Sequence, residues 1–340
     1  MSKNYSNMLN RLLDGNCLSE EESYKLMIAM ANETISPILS GALLAGLRAK
    51  GEIADEIRGF ANAMRFLAIQ PEIPLHEPIV DTVGTGGDSS GSLNLSTGTG
   101  LLAAACGIKI VKHGNRSVSS KCGSADMLEH IGMKFPQDKK SALEALNKIG
   151  FTFLFSPAFH PAMKAIMPVR NTLAVRTVFN MLGPLSNPAA PPFQLIGAFS
   201  ERAAKLMAET LTGMPIKKAF VVHGAEGWDE ATPMGEFLMY EVTPGNIKKH
   251  VRHPSDFGLP VCQAERLLGD DADYNARELE RVFTCQDKGP HRDALVMGVS
   301  LIMELIGKTS NPKDGVSIAT EVIDSGKAEK YLNNFKRFFI

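Results

Sequence analysis

Three stretches of this chain concentrate residue types that handle phosphate. The first is Gly84-Thr85-Gly86-Gly87-Asp88-Ser89-Ser90-Gly91. Bare glycine backbone lets N–H groups approach an anion closely, and successive N–H groups form a nest for one. Asn94, Leu95, Ser96 and Thr97 follow, opening a predicted helix whose positive end and two hydroxyls add to the nest. The loop is not a Walker A, because no Gly-Lys-Ser/Thr follows, and Ser89 stands at the third glycine position of a dinucleotide fingerprint. Alone, it reads equally well as a glycine-rich turn before a capped helix.

The second stretch is Lys112-His113-Gly114-Asn115-Arg116-Ser117-Val118-Ser119-Ser120-Lys121-Cys122-Gly123-Ser124. Lys112, Arg116 and Lys121 are cationic, and nearly every other side chain can donate a hydrogen bond. Polyphosphate recognition needs such a set, with lysine as a point charge and hydroxyls for the remaining acceptors. His113 suits a structural imidazole as well as a catalytic one. The third stretch is Gly224-Ala225-Glu226-Gly227-Trp228-Asp229-Glu230. Its adjacent carboxylates, near two phosphate loops, suggest magnesium, which prefers oxygen ligands and bridges to substrate phosphates. Glu226 reads as a turn residue. Arg170 and Arg176 lie apart from these stretches. Arg170 could pair bidentately with a substrate carboxylate or make an interdomain salt bridge, and both readings stand.

These stretches need elements to hold them. Residues 1–72 read as helices, with Ser19 and Ser36-Pro37 as start signals, and with apolar stripes at 39, 42, 43, 47 and at 53, 57, 60, 64. Prolines 71, 74 and 78 mark a linker. Beyond it, short apolar runs alternate with helical patterns, as in a mostly parallel sheet. Strands are predicted over 79–83, 108–111, 152–155, 194–196 and 218–223, and helices over 96–106 and 125–131. Several strands hand over directly to the polar stretches, and ligands of open α/β sheets bind outside the carboxyl ends of strands. Residues 160–188, with a moderately helical 173–182 among four prolines, read as a crossing back to the helical domain. The expected domains are therefore 1–72, joined by part of 160–188, and 73–340.

Composition sets limits on function. The 340 residues carry 36 Lys and Arg against 37 Asp and Glu, a net charge of −1, which argues against a protein that neutralises nucleic acid. No apolar run approaches the ~20 residues that span a bilayer. Five scattered cysteines show no Cys-x-x-Cys spacing, and no apolar leader segment opens the chain, so the reading is soluble, reduced and cytoplasmic.

Taken together, Asp81-Thr-Val-Gly-Thr-Gly-Gly-Asp88, Asn94-Leu-Ser-Thr97, Lys112-His-Gly-Asn-Arg-Ser-Val-Ser-Ser120, Gly123-Ser-Ala-Asp126, residues 176–188 and Asp229-Glu230 closely resemble the anthranilate phosphoribosyltransferase family. The resemblance implies a homodimer of a small helical and a larger α/β domain, with the active site between them. It implies the step of tryptophan biosynthesis in which phosphoribosyl pyrophosphate and anthranilate give N-(5-phosphoribosyl)anthranilate and pyrophosphate. Gly84, Gly87, Asp88, Ser92, Asn94, Leu95, Ser96, Thr97, the run from Lys112 to Ser120 (with His113, Gly114, Asn115, Arg116, Ser117, Val118 and Ser119) and Ser124 match the phosphoribosyl pyrophosphate contacts. Ser96, Asp229 and Glu230 match magnesium ligands, with two ions expected, and Lys112, Asp229 and Glu230 are the expected catalytic groups. Gly84, Asn115 and Arg170 match positions around anthranilate, and His113 lines the same channel. Trp228 departs from the aliphatic residue implied there, so a different loop packing is expected. A pyrimidine nucleoside phosphorylase would share the architecture but would need a nucleobase-reading site. A nucleic-acid-binding relative would need a basic surface.

Overall fold

The computed structural model describes residues 2–74, 77–117 and 121–339. Four helices come first: α1 (Ser2–Leu13), α2 (Glu20–Ala31), α3 (Pro37–Lys50) and α4 (Ala54–Leu67). Ser19 Oγ accepts from the Glu22 amide, while Glu22 accepts the Ser19 amide at 2.9 Å, a reciprocal cap with acids in the positive first turn. Ser36 caps α3, Pro37 takes its first position, and Gly51 ends it at φ 89°. α2 lies against α4 and α1 against α3.

Then β1 (Ile79–Gly84), α5 (Leu95–Ala105), β2 (Lys109–Gly114), α6 (Ser124–His130), α7 (Lys139–Ile149) and β3 (Phe151–Phe155) alternate. A helical crossing follows, α8 (Ser156–Phe159), α9 (Met163–Leu173) and α10 (Phe179–Leu185). The sheet resumes with β4 (Phe193–Gly197), α11 (Glu201–Leu211) and β5 (Lys218–His223), and ends in a hairpin, β6 (Phe237–Thr243) and β7 (Asn246–Arg252). Helices α12 (Ala272–Phe283), α13 (Pro290–Leu305), α14 (Pro312–Asp324) and α15 (Lys327–Phe338) complete the chain. The protein is thus a helical N-terminal part and a larger α/β part around a mostly parallel sheet.

Strand order is β3-β2-β1-β4-β5-β6-β7, with β1 to β5 parallel and the final hairpin antiparallel. The order reverses at β1, so the crevice between the ends of β1 and β4 is the topological switch point where such sheets bind ligands. Side-chain alternation gives the two faces different partners. Val80, Ile110, Leu195 and Phe220 pack on one face in a core shared with α5 and α13. Val83, Ile196 and Val221 face the other way, into a core shared with α4, α10, α11 and the N-terminal helices.

The structure corrects several expectations. β2 runs on to Gly114 instead of ending at 111, so Lys112 and His113 lie on the strand and face opposite sides of the sheet. Hydrogen bonding to β3 up to Gly114↔Phe155 carries the polar residues that local hydrophobicity would exclude. The helix expected over 173–182 is broken. Ala174, at φ 49°, ends α9, and a new helix begins at Phe179. Pro168 and Pro184 sit inside helices, and each lacks the N–H that would bond the carbonyl four residues earlier. The hairpin β6–β7 carries no expectation from the sequence. α9 lies against α2 and α3, which brings part of the crossing back to the N-terminal helices.

Candidate active site

The three polar stretches meet at the switch point. Asp229 lies over the ends of β1 and β4, its Oδ2 accepting from the Gly86 amide at 2.6 Å and from Thr85 Oγ1 at 3.3 Å. Its own amide donates to Asp88 Oδ2 at 3.1 Å. Glu230 Oε1 accepts the Ser96 amide at 3.0 Å, at the N-terminus of α5. Glycines make this approach physically feasible. A Cβ on Gly197 would lie 1.5 Å from the Asp229 carbonyl oxygen, one on Gly224 2.0 Å from that of Glu230, and one on Gly84 2.5 Å from Asp229 Oδ2. Gly197 was missed in the sequence, and Gly224 was read only as the start of the acidic stretch, although a glycine closing a strand, as Gly84 does, was a readable signal.

Lys112 is buried on the α5 face of the sheet. Its Nζ donates to the Thr82 carbonyl and, at 3.2 Å, to Ser96 Oγ. The acids around it lie in excess. Burial pushes the Asp229 carboxyl well above the usual range, with repulsion from Asp88 adding to it. Glu230 is raised by burial and then by Asp229, with Lys112 pulling the other way. Three carboxylates and a serine hydroxyl drawn together at a phosphate loop form an all-oxygen set lacking positive charge, which is the donor chemistry magnesium takes. The residues present fit that ion.

His113 points to the opposite face. Its Nδ1 donates to the Gly183 carbonyl at 3.1 Å, which leaves Nε2 bare, and its ring centre lies 4.9 Å from that of His160. Burial brings the pKa of His113 down to about 3 and that of His160 to about 4, so both are neutral. His160 was not among the residues picked out from the sequence, where it is a lone histidine before a proline. Arg170 makes no ion pair among the described residues. It lies over the Phe179 ring at 5.2 Å, and the interdomain salt bridge left open by its sequence is not formed. Arg176 donates to the Gly87 carbonyl and stacks on Phe199 at 4.3 Å, tying the crossing to the glycine loop.

The remaining positions vary in how close they come. Ser92 pairs with Leu268 in an isolated bridge, and Asn94 accepts from Asn275 Nδ2 at 2.9 Å and from the Cys122 thiol at 3.1 Å. Leu95 is buried in the core, and the Thr97 hydroxyl is buried without a partner. Gly114 sits against Ser124 Oγ, which donates to the Asn115 carbonyl at 3.2 Å. Arg116 is held by Asp126 and Glu129 at 2.9 and 2.6 Å, and the Ser117 amide donates to Asp126 at 3.2 Å. Val118, Ser119 and Ser120 lie outside the described residues. Trp228 is buried in the core beneath its loop, and its carbonyl accepts the Gly224 amide at 2.8 Å.

Two family models match this chain, the α/β domain of a glycosyl transferase family over residues 76–329 and its helical bundle domain over 6–68. The chain is 40% identical over 329 residues to the anthranilate phosphoribosyltransferase of Rubrobacter xylanophilus, covering 97% of this chain and 96% of that one. Against that of Rhodopseudomonas palustris strain TIE-1 the identity is 39% over 328 residues, with 96% of each covered. The crystal structure of anthranilate phosphoribosyltransferase from Thermus thermophilus is similar with a TM-score of 0.90 at 40% identity, covering 97% of this chain and 98% of that one. The Saccharomyces cerevisiae enzyme, solved in complex with PRPP and Mg, also gives 0.90, at 27% identity over 99% of this chain and 98% of that one.

Proposed function

The chain belongs to the anthranilate phosphoribosyltransferase family, and from that premise we propose how its residues carry out the transfer of phosphoribose from phosphoribosyl pyrophosphate to anthranilate. The supporting observation is the convergence of the glycine loop, Lys112 and the Asp229-Glu230 pair at the switch point of the sheet. The bond from the anomeric carbon to pyrophosphate breaks, one from that carbon to the aniline nitrogen forms, and the amine loses a proton afterwards. The sugar passes through a cation of oxocarbenium character, as in glycoside hydrolysis.

The barrier falls chiefly by stabilising charge on the departing pyrophosphate. Lys112 supplies a buried ammonium on that side, and the glycine-loop amides and the N-terminus of α5 supply further donors. Asp229, Glu230 and Ser96 would hold Mg2+, which when bound neutralises phosphate charge. Asp88, Ser92 and the loop from Asn115 to Ser120 bind the phosphoribosyl part, with Arg116 acting through its ion pairs to shape that loop. On the opposite face Arg170 takes the anthranilate carboxylate, and Asn115 and Gly84 help to place the ring beside neutral His113. Arg170 suits this role because no acid among the described residues neutralises it. Holding the amine in line supplies several kcal/mol. No residue forms a covalent intermediate, and no essential general base is required.

We further place the domain boundary at 72/73, with part of 160–188 joining the helical domain, and assign the protein to the cytoplasm as a homodimer. In support of the last point, Ile38 is 86% and Leu13 68% exposed on the N-terminal helices. No helix among the described residues is long and apolar enough to cross a membrane. The test mixes the protein with anthranilate, phosphoribosyl pyrophosphate and magnesium and follows anthranilate fluorescence. Loss that requires all three components supports the assignment. No loss from a folded protein that binds phosphoribosyl pyrophosphate would move the doubt to the acceptor.

A further inference from the structure

Away from the phosphate stretches, α12, the turn that follows it and the first turn of α13 bring two carboxylates and an imidazole together. Glu278 lies on α12, Asp287 in the turn and His291 on α13, and one ligand atom from each lies within 4.8 Å of the other two. His291 is 7% exposed, and its Nε2 is buried with no hydrogen-bond partner among the described residues. Its Nδ1 stands 3.6 Å from Asp287 Oδ2, too far for a hydrogen bond. Burying a polar ring without hydrogen bonds is costly, so a ring left in this state against two carboxylates calls for a further partner.

The spacing suits a cation. Two atoms that ligate one tetrahedral ion at about 2.1 Å stand about 3.4 Å apart, close to the gap between His291 and Asp287. The turn fixes that gap. The Gln286 and Asp287 amides both donate to the Arg281 carbonyl, at 2.8 and 2.9 Å, and Asp287 Oδ1 accepts the Gly289 amide at 2.7 Å, which leaves Oδ2 to face the ring. Glu278 has both oxygens 3.1 Å from Arg281 Nη1, so it can give one to an ion and keep the other on the arginine. Arg292 is taken by Asp324 at 2.9 Å. Asp293 adds to the negative field, its carboxyl raised by burial and further by Asp287 against the pull of Arg292. His291 also stands at the positive end of α13, which disfavours an imidazolium and favours the neutral ring that binds metal.

We propose that Glu278, Asp287 and His291 form a binding site for a divalent transition ion of the zinc type, with water completing the shell, and that the ion ties α12 to α13. The imidazole sets this site apart from the all-oxygen set at Asp229 and Glu230, since magnesium takes oxygen ligands whereas imidazole suits zinc and its neighbours. None of the three ligands belongs to the phosphate stretches, so the ion is structural and the inference stands independently of the reaction proposed above.

The test titrates Zn2+ into chelator-stripped protein by calorimetry with Mg2+ present in excess. It compares the parent with Glu278→Ala, His291→Gln and Asp229→Asn/Glu230→Gln. The parent and the Asp229→Asn/Glu230→Gln variant should each take up one Zn2+ per chain with equal affinity. Loss of a ligand in Glu278→Ala or His291→Gln should weaken binding about a hundredfold or more. Zinc should also raise the thermal midpoint of the parent and leave that of these two variants where it was. Glu278 is part-exposed, so Glu278→Ala decides the matter if His291→Gln does not fold. With Co2+ in place of zinc, the visible ligand-field band of the parent should change in His291→Gln. Zinc affinity equal to the parent's in Glu278→Ala, binding lost only in Asp229→Asn/Glu230→Gln, or no binding by the parent would each overturn the proposal.

Discussion

Asp229 and Glu230 carry an energetic cost that a bound cation relieves, since burial, with repulsion of Asp229 by Asp88 and of Glu230 by Asp229, favours their neutral forms. Asp229→Asn with Glu230→Gln should therefore cut magnesium-dependent turnover by about a hundredfold or more while leaving the thermal midpoint unchanged or higher. A turnover rate equal to the parent's would remove both residues from the metal site. Arg170→Ala is expected to raise KM for anthranilate by about tenfold, the scale of one lost charged hydrogen bond, with little change for phosphoribosyl pyrophosphate. Equal rises in both constants would make Arg170 structural. His113 bears on stability as well. Its pKa is depressed to about 3, so between that value and the ordinary value near 6.5 the unfolded chain holds one more proton than the folded one. Stability is then lost as pH falls through this window, by up to ~1.4 kcal/mol per pH unit. Urea titrations at pH 6.5 and 4.5 should show a smaller acid loss in His113→Gln than in the parent, the other groups cancelling in the comparison.

At the scale of elements, the site depends on strand ends that lack side chains. The Asp229-Glu230 loop rests on Gly197 at the end of β4 and on Gly224 just beyond β5. In Gly197→Ala the new methyl group would meet main chain, which cannot rotate away, so a stability loss of roughly 2 kcal/mol and a marked fall in turnover are expected. Ser19→Ala, which removes half of the α2 capping box far from the chemistry, should cost about 1 kcal/mol and leave kcat unchanged. Denaturant midpoints and kinetics of the two variants side by side separate the effects. The same elements show how far local pattern reaches. Helices α2, α3 and α5 were legible because caps, prolines and apolar spacing act within a few residues. The run of β2 through Lys112 and His113 was not, because its ladder partners lie near residue 153.

For the whole molecule, the N-terminal helices and the crossing pack together, and Arg176 reaches from the crossing to the glycine loop of the α/β part. Closure of the helical part on binding is expected, with the crossing as a hinge; the other expected hinge, 71–78, lies partly outside the described residues. Small-angle scattering should give a smaller radius of gyration with phosphoribosyl pyrophosphate, magnesium and a non-reacting anthranilate analogue present. Identical curves with and without them would count against closure.

The amino-acid sequence by itself determined the class of fold and the phosphate-handling stretches, because glycine, cap and charge chemistry is local; the substrate roles of single residues came only from resemblance to a family. Tertiary structure alone decided which face each group serves. Lys112 and His113 are neighbours in the chain, yet one meets Ser96 on α5 and the other Gly183 on α10, because consecutive side chains on a strand point opposite ways and the sequence had not placed them on a strand. It alone brought Asp229 over Gly197, and buried Arg65 with no hydrogen-bond partner, since burial is a sum over residues far apart in the chain.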